Sequence, residues 1–204
     1  MKYFIGILVP EEIQKLILEL ATSLPKDFTK SRMNAHITIR APQFVADMVL
    51  IESIVKSVAN TFCPIDIGLG KVKNFDNNYL VVSAQSKLLY ELNEKLARSL
   101  QKFNDENINY YDFEKYRPHV KIAEIPGKLT IECVKKFEEN LSEITKSTKN
   151  FSVKNLTIFI DKDDTGVYDQ VINIPFQPNG IMAESEDLDA PWNANFYEKV
   201  EDGE

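Results

Sequence analysis

The stretch YRPHVKIAE, residues 116–124, contains one of only two histidines in a chain of 204 residues. His119 follows Pro118 directly and begins a short apolar run that is typical of a β-strand. Because side chains alternate across a strand, His119 and Lys121 share one face, and the aliphatic residues that follow each of them share the other. The stretch therefore predicts a strand that buries one side and presents a histidine and a cation on the opposite side.

The other histidine lies in a stretch of the same kind, AHITIRA, residues 35–41. Alternation places His36, Thr38 and Arg40 on one face of this strand and two isoleucines on the other. Arg40 is assigned to substrate binding because it shares the face of His36. The alternative is an arginine that is solvated or ion-paired at the strand end, and both alternatives stay open.

The elements around the two histidines are predicted in the same order in both halves of the chain. Each half runs strand, helix, polar loop, short strand with histidine, helix, strand. In the first half the elements lie at 2–9, 11–24, 35–41, 45–60 and 64–73. In the second half they lie at 79–85, 87–103, 118–124 and 151–160, and a helix with Thr130 as its N-cap lies between the last two. A turn at 161–166 and a strand at 167–174 follow. Both histidines therefore occupy the same place in a repeated pattern.

Two imidazoles that face each other across a groove suit acid–base chemistry. An unperturbed histidine titrates near about pH 6.5, so one ring can be neutral while the other is protonated. The neutral ring takes a proton from an attacking oxygen, and the protonated ring gives one to the leaving oxygen. Thr38 and Lys121 would hold the non-bridging oxygens, where negative charge resides. A phosphodiester is the substrate that this set favours, and the set requires no metal.

The stretches AHITIR and RPHVKIA resemble the paired histidine motifs of the 2H phosphoesterase superfamily, which includes bacterial 2′-5′ RNA ligase-like proteins and cyclic phosphodiesterases. The resemblance covers residues 1 to about 175. It implies a bilobal α+β fold with pseudo-two-fold duplication, in which antiparallel sheets face a central cleft and the helices lie outside. It also implies that His36 and His119 are the catalytic pair and that Thr38 binds a phosphate oxygen. The implied substrates are 2′,3′-cyclic or 2′-5′ linked nucleotides and RNA termini, with no metal and no cofactor.

Lys121 departs from the pattern of that superfamily, which has threonine or serine at this position of the second motif. A lysine can still bind a phosphate oxygen, so the chain would remain a phosphoesterase. Alternatively, the lysine binds an anion without turnover or pairs with a nearby carboxylate such as Glu124. In that case the chain would be a binding module for nucleotides or RNA ends.

Several other residues have two interpretations. Tyr116, in the aromatic loop before the second histidine, is assigned to base stacking, with loop packing as the alternative. Arg117 could reach the groove, but a surface role is favoured because Pro118 breaks the alternation. The sequence DKDDTG, 161–166, resembles the start of a calcium loop, but its twelfth position is Ile172 instead of glutamate, so a turn is predicted.

Composition restricts the remaining possibilities. The net charge of −7 comes from residues 181–204, which hold eight acidic residues against one lysine. We therefore predict one domain over 1–180 and an acidic tail, with partner binding through the tail as a further hypothesis. Cys63 and Cys133 form no disulfide framework, which favours a reduced, cytoplasmic setting. Their spacing matches no usual zinc site. No stretch is long and apolar enough to span a membrane, and we expect a monomer.

Overall fold

A computed structural model describes residues 1–31, 33–44, 47–103, 112–127, 131–145 and 150–179. Its strands are β1 Lys2–Leu8, β2 Thr29–Lys30, β3 His36–Phe44, β4 Ile65–Phe75, β5 Tyr79–Gln85, β6 His119–Glu124, β7 Phe151–Val153, β8 Asn155–Asp161 and β9 Asp169–Pro175. Its helices are α1 Glu11–Ser23, α2 Met48–Ala59, α3 Lys87–Leu100 and α4 Ile131–Thr145, and short 3-10 turns lie at Gln101–Phe103 and Phe113–Lys115.

The helix ends follow local chemistry. Helix α1 begins directly after Pro10, with two glutamates in its first turn, where the helix dipole favours negative charge. Helix α2 begins later than predicted because Asp47 is its N-cap, and the Asp47 carboxylate accepts the N–H of Leu50 at 3.1 Å. The predicted N-cap Thr130 lies outside the described residues, and the short strand β2 was not predicted.

The described strands form one curled antiparallel sheet in the order β7-β4-β5-β6-β3-β1-β8-β9, with β2 paired to β6. The two halves of the chain exchange their last strands. Strand β4 ends the first half and pairs with β5, and β8 ends the second half and pairs with β1. Each lobe is therefore built from both halves, which makes the lobes discontinuous in sequence.

The predicted α+β duplicated fold is confirmed, with one refinement. The two predicted sheets are continuous, because β3 and β6 pair at the centre through Ile37 and Val120. Helix α1 packs on β6, α3 on β3 and α4 on β4. The two side chains at the centre are fully buried. Burial of this aliphatic face leaves the alternate residues of β3 and β6 to form the wall of a cleft.

Each histidine strand carries a β-bulge at the third residue after its histidine. In β3 the partners change from Gly6↔Thr38 to Ile5↔Arg40, which makes Ile39 the extra residue. In β6 the partners change from Val81↔Lys121 to Leu80↔Ala123, which makes Ile122 the extra residue. An extra residue reverses the side-chain alternation beyond it. The two histidine strands therefore have a bulge at the same position, and in each strand the face that carries the histidine ends there.

The prediction of one domain over 1–180 stays a prediction, and the acidic tail lies outside the described residues. In the described part of the chain, no helix combines the length and the apolar character that a membrane span needs.

Candidate active site

The face of the sheet that carries the histidines holds a cavity of about 420 Å³. Its size lies within the range of about 300–1,000 Å³ that is usual for small-molecule sites. The structure brings to this cavity all four residues that the sequence assigned to catalysis, namely His36, Thr38, His119 and Lys121. Both halves of the chain therefore contribute to one cavity.

The central strand pairing determines which polar residues are neighbours. Ile37 and Val120 are Cα partners in antiparallel strands. One step along the two strands in opposite directions places His36 beside Lys121 and Thr38 beside His119. Each imidazole thus lies next to the polar residue of the other motif.

Both histidines make the same hydrogen bond. The Nδ1 atom of His36 lies 2.8 Å from the carbonyl oxygen of Asn34, and the Nδ1 atom of His119 lies 2.6 Å from the carbonyl oxygen of Arg117. A carbonyl can only accept, so Nδ1 carries the hydrogen in both rings. The Nε2 atom of each ring is therefore the one that can exchange a proton with a ligand.

Aromatic side chains support both rings. The His36 centroid lies 5.1 Å from that of Phe4 and 5.4 Å from that of Phe159. The His119 centroid lies 4.4 Å from that of Phe75. Phe159 in β8 and Phe75 in β4 belong to the two exchanged strands, so the duplication extends to the aromatic supports.

The surroundings of the histidines lower both pKa values. Burial, together with the nearby His36 and Lys121, lowers the pKa of His119 to about 4, although the Arg117 carbonyl and Asp76 act in the opposite direction. Burial also lowers the pKa of His36, and Lys121 adds to this effect. Both pKa values lie below the ordinary value of about 6.5, so the free protein favours neutral rings at pH 7. The expected pair of one protonated and one neutral ring stays a prediction for the protein with a bound substrate.

Lys121 lines the cavity and also contacts two side chains. Its Nζ atom lies 3.1 Å from Oε1 of Glu124 and 5.0 Å from the centroid of Tyr79. The lysine side chain is 34% exposed and the glutamate side chain 47% exposed, so water can replace this pair at little cost. The structure therefore contains the carboxylate pairing that the sequence left open, in a geometry that an anion can displace.

Arg40 does not reach the cavity, which corrects its assignment to substrate binding. The bulge at Ile39 turns its side chain to the helix-covered side, where it is 1% exposed. There Arg40 forms a buried ion pair with Asp112, and Asn93 of α3 donates to Asp112 at 3.2 Å and to the Ile39 carbonyl at 2.7 Å. This network connects β3 to the segment that precedes the second histidine.

Tyr116 lies at the cavity wall but is only 4% exposed. Its hydroxyl donates to the carbonyl oxygen of Thr38 at 3.0 Å, and burial raises its pKa well above the usual range. A ring this buried offers no open face to a base, so the structure supports the alternative of loop anchoring. Arg117 also lines the cavity, and its guanidinium donates to the carbonyls of Glu114 and Tyr116.

Sequence reasoning missed the polar residues that hold the site from behind. Asn93 and Asp112 are both buried, and Gln14 bonds both backbone groups of Ala35, the residue before His36. Asn93 gave a usable signal, because it lies within the leucine stripe of α3. The other two gave none, because both are polar residues at positions where the sequence pattern indicates exposure.

The calcium-like sequence forms the turn between β8 and β9. The Asp161 carboxylate accepts the backbone N–H groups of Thr165 at 3.0 Å and Gly166 at 2.7 Å, as in a turn stabilised by its own side chain. Across the described ranges, no three His, Cys, Asp or Glu side chains are grouped to hold a metal ion.

Together, the fold and the cavity define a duplicated α+β protein with one histidine from each half in a shared cleft. The family model of the 2′-5′ RNA ligase superfamily matches residues 9–165. The chain therefore belongs to that superfamily, within the 2H phosphoesterases, and its general class is that of phosphoesterases and RNA-processing proteins. No curated protein matches the chain by sequence.

Solved structures agree on the fold. The protein TT0787 of Thermus thermophilus is 14% identical, with a TM-score of 0.68 over 86% of this chain and 98% of that protein. E. coli LigT, solved with phosphate, is 14% identical, with a TM-score of 0.58 over 86% and 96% of the two chains. Kluyveromyces marxianus Usb1 is 11% identical, with a TM-score of 0.50 over 86% and 98%.

Proposed function

We propose that this chain is a metal-independent phosphoesterase that acts on 2′,3′-cyclic or 2′-5′ linked nucleotides or on RNA termini. His36 and His119 are its acid–base pair, and Thr38 and Lys121 bind the phosphate oxygens. The observation that carries the proposal is the matched pair of Nδ1 hydrogen bonds, which leave both Nε2 atoms available beside one cavity.

Hydrolysis of a 2′,3′-cyclic phosphate would use both histidines. The neutral histidine takes a proton from water as the water oxygen bonds to phosphorus. The bond from phosphorus to one ribose oxygen breaks, and the protonated histidine gives its proton to that oxygen. One water is consumed, one phosphomonoester forms, and the two rings exchange protonation states. Which histidine acts first depends on the orientation of the substrate, and the roles are reversed in the ligating direction.

The negative charge of the substrate favours protonation of one histidine. Burial lowers the pKa of both rings in the free protein, and a negative charge that enters the cavity opposes this effect. A phosphate beside an imidazole favours its protonated form. Productive binding thus takes up one proton together with the anion.

Relatives with the same fold bind ligands of this class. E. coli LigT has been solved with phosphate and with 3′-AMP, and Kluyveromyces marxianus Usb1 with uridine monophosphate. These ligands support a nucleotide or an RNA end as the partner of the cavity in this chain.

A non-catalytic binding module is the second candidate. The contact between Lys121 and Glu124 favours it, because a lysine held by a carboxylate replaces the hydroxyl that the superfamily motif has there. In this case the same cavity holds a nucleotide or RNA end without cleaving it.

Incubation with 2′,3′-cyclic nucleotides and 2′-5′ dinucleotides, with and without a chelator, distinguishes the two candidates. The phosphoesterase predicts product formation that the chelator leaves unchanged. It also predicts a rate loss of about 10²–10⁴-fold in His36→Ala and in His119→Ala. Ligand-induced thermal stabilisation without product would establish the binding module instead. Full turnover in either alanine variant would refute the two-histidine mechanism.

A further inference from the structure

A second cavity adjoins the first. It has a volume of about 260 Å³ and lies between α1 and the strands β2 and β6. Ser31, Met33 and Lys121 line both cavities, so the two share a wall. The second cavity is smaller than a usual small-molecule site of about 300 Å³ or more, which suits an extension of a larger site.

The floor of the second cavity is apolar. Ile17, Leu18 and Ala21 of α1 face it together with Ile122 of β6. Leu18 is 61% exposed although it is a large aliphatic side chain. A flat ligand group such as a nucleobase would remove this apolar surface from water.

The rim of the second cavity is positive. Lys15, Lys30 and Lys121 line it, and no acidic residue does so among the described residues. Lys15 pairs with Glu11 at 2.8 Å through side chains that are 74% and 82% exposed. Ion pairs this exposed are readily replaced. A ligand with an apolar face and more than one negative charge fits this combination.

Hydrogen bonds hold residues at and beside the shared wall in place. The Gln14 amide donates to the carbonyl of Ala35 at 2.7 Å and accepts the N–H of Ala35 at 2.6 Å. Ser31 Oγ contacts the N–H and the carbonyl of Met33, each at 3.2 Å. The two Gln14 bonds fix Ala35, the residue directly before His36, to α1, and both cavities are present without a ligand.

We propose that the second cavity binds the nucleotide that precedes the one carrying the reacting phosphate, so that the chain prefers an oligonucleotide to a mononucleotide. The base of that nucleotide rests on the Leu18 surface, and its phosphate lies near Lys30. Lys121, on the shared wall, lies between the two phosphates. This proposal rests on the proposed function and deepens it.

Two substrates with the same reacting group test the subsite: adenosine 2′,3′-cyclic phosphate and tetra-adenylate that ends in a 2′,3′-cyclic phosphate. We expect kcat/KM to be at least about tenfold higher for the tetramer, since removal of an exposed leucine side chain from water contributes on this scale. Lys30→Glu and Leu18→Glu should remove most of that preference and leave the monomer within about twofold of wild type. Lys26→Glu is the matched control, because Lys26 is an exposed lysine that lines neither cavity and lies four positions before Lys30.

Salt dependence gives an independent readout. A phosphate contact made by Lys30 should steepen the salt dependence of log KM for the tetramer by about one unit, and Lys30→Glu should remove that increment. Equal kcat/KM for the two substrates, or an equal loss for both in Lys30→Glu, would overturn the subsite while the phosphoesterase activity stands.

Absence of turnover with either substrate would remove 2′,3′-cyclic phosphates from the proposed function and leave the subsite to a binding assay. In that assay, fluorescence anisotropy of labelled tetra-adenylate 3′-phosphate, competed with 3′-AMP, should still show weaker binding of the tetramer in Lys30→Glu. Unchanged affinity in that variant would overturn the subsite as well.

Discussion

Ile37 and Val120 are Cα partners at the centre of the sheet, and each directly follows a histidine. This single pairing joins the two halves and places the histidine of each half beside the polar residue of the other. The pair is fully buried, so a one-residue shift of register would carry the histidines out of the cleft and expose aliphatic side chains. The hydrophobic side of these strands thereby stabilises the geometry of the polar side.

Lys121 variants should separate the two candidate functions. If Lys121 stabilises the transition state, Lys121→Met should lower kcat by about 10²-fold or more, because one charge-stabilising donor is lost. Lys121→Thr, which restores the residue usual in the superfamily motif, should retain more activity than Lys121→Met. Steady-state kinetics with a 2′,3′-cyclic nucleotide measure this order.

Glu124→Gln is the control for the pairing, because it frees the lysine and removes no cavity residue. Its activity should equal or modestly exceed that of wild type. If the wild-type protein shows no turnover and the Lys121→Thr variant gains activity, the result would instead favour the binding module.

The pH optimum of kcat/KM should lie below about 6.5. Burial lowers both histidine pKa values in the free protein, and kcat/KM reports the free enzyme. The kcat profile should lie at higher pH, since a bound anion raises the pKa of both rings. Rates measured from pH 4 to 9 check that the optimum of kcat lies at a higher pH than the optimum of kcat/KM. Coincident optima near pH 8 would contradict this prediction.

The free energy of unfolding should fall as the pH falls through the window from about 6.5 to about 4. His119 stays neutral in the folded protein down to about pH 4, while the unfolded chain already takes up a proton near about pH 6.5. The unfolded state therefore binds more protons in this window, and stability is fully present only above it. Replacing His119 by glutamine should reduce the loss of unfolding free energy between pH 7 and pH 5 by on the order of 1–2 kcal/mol.

Urea unfolding of wild type and His119→Gln at both pH values measures that difference, and the contribution of carboxylates cancels between the two proteins. Parallel pH dependences would show that His119 is not held neutral by the fold.

The ion pair between Arg40 and Asp112 should matter for stability. Asp112→Ala should lower the free energy of unfolding by about 3–5 kcal/mol, because it leaves a buried guanidinium without its counter-charge. The double variant Arg40→Met with Asp112→Ala should lose less than the sum of the two single losses. Chemical denaturation measures all three variants.

The exposed pair of Lys56 and Glu52 is the matched control, and Glu52→Ala should cost about 1 kcal/mol or less. An Asp112→Ala loss as small as the control would show that the buried pair contributes nothing beyond a surface contact.

Periodicity predicted most elements of the fold. The leucine stripe of α3 and the alternating residues of β3 depend on neighbours a few positions away, and such local patterns are visible in one sequence. The exchange of β4 and β8 between the lobes was not visible, because strand partners far apart in the chain leave no local pattern. The short strand β2 was missed for the same reason.

The site was predicted in part. His36, Thr38, His119 and Lys121 line one cavity as the motifs indicated, and their catalytic roles stay proposals. Arg40 was misplaced because the bulge that turns it depends on pairing with β1.

The sequence alone determined the two histidine strands, their polar and apolar faces, and the duplicated order of elements around them, because these follow from the spacing of neighbouring residues. Tertiary structure alone decided that the strands pair at their centres, that Arg40 turns away to Asp112, and that burial lowers the pKa of both histidines. Each of these depends on contacts between distant segments and on the removal of water from charged groups, and such properties arise only when the chain is packed.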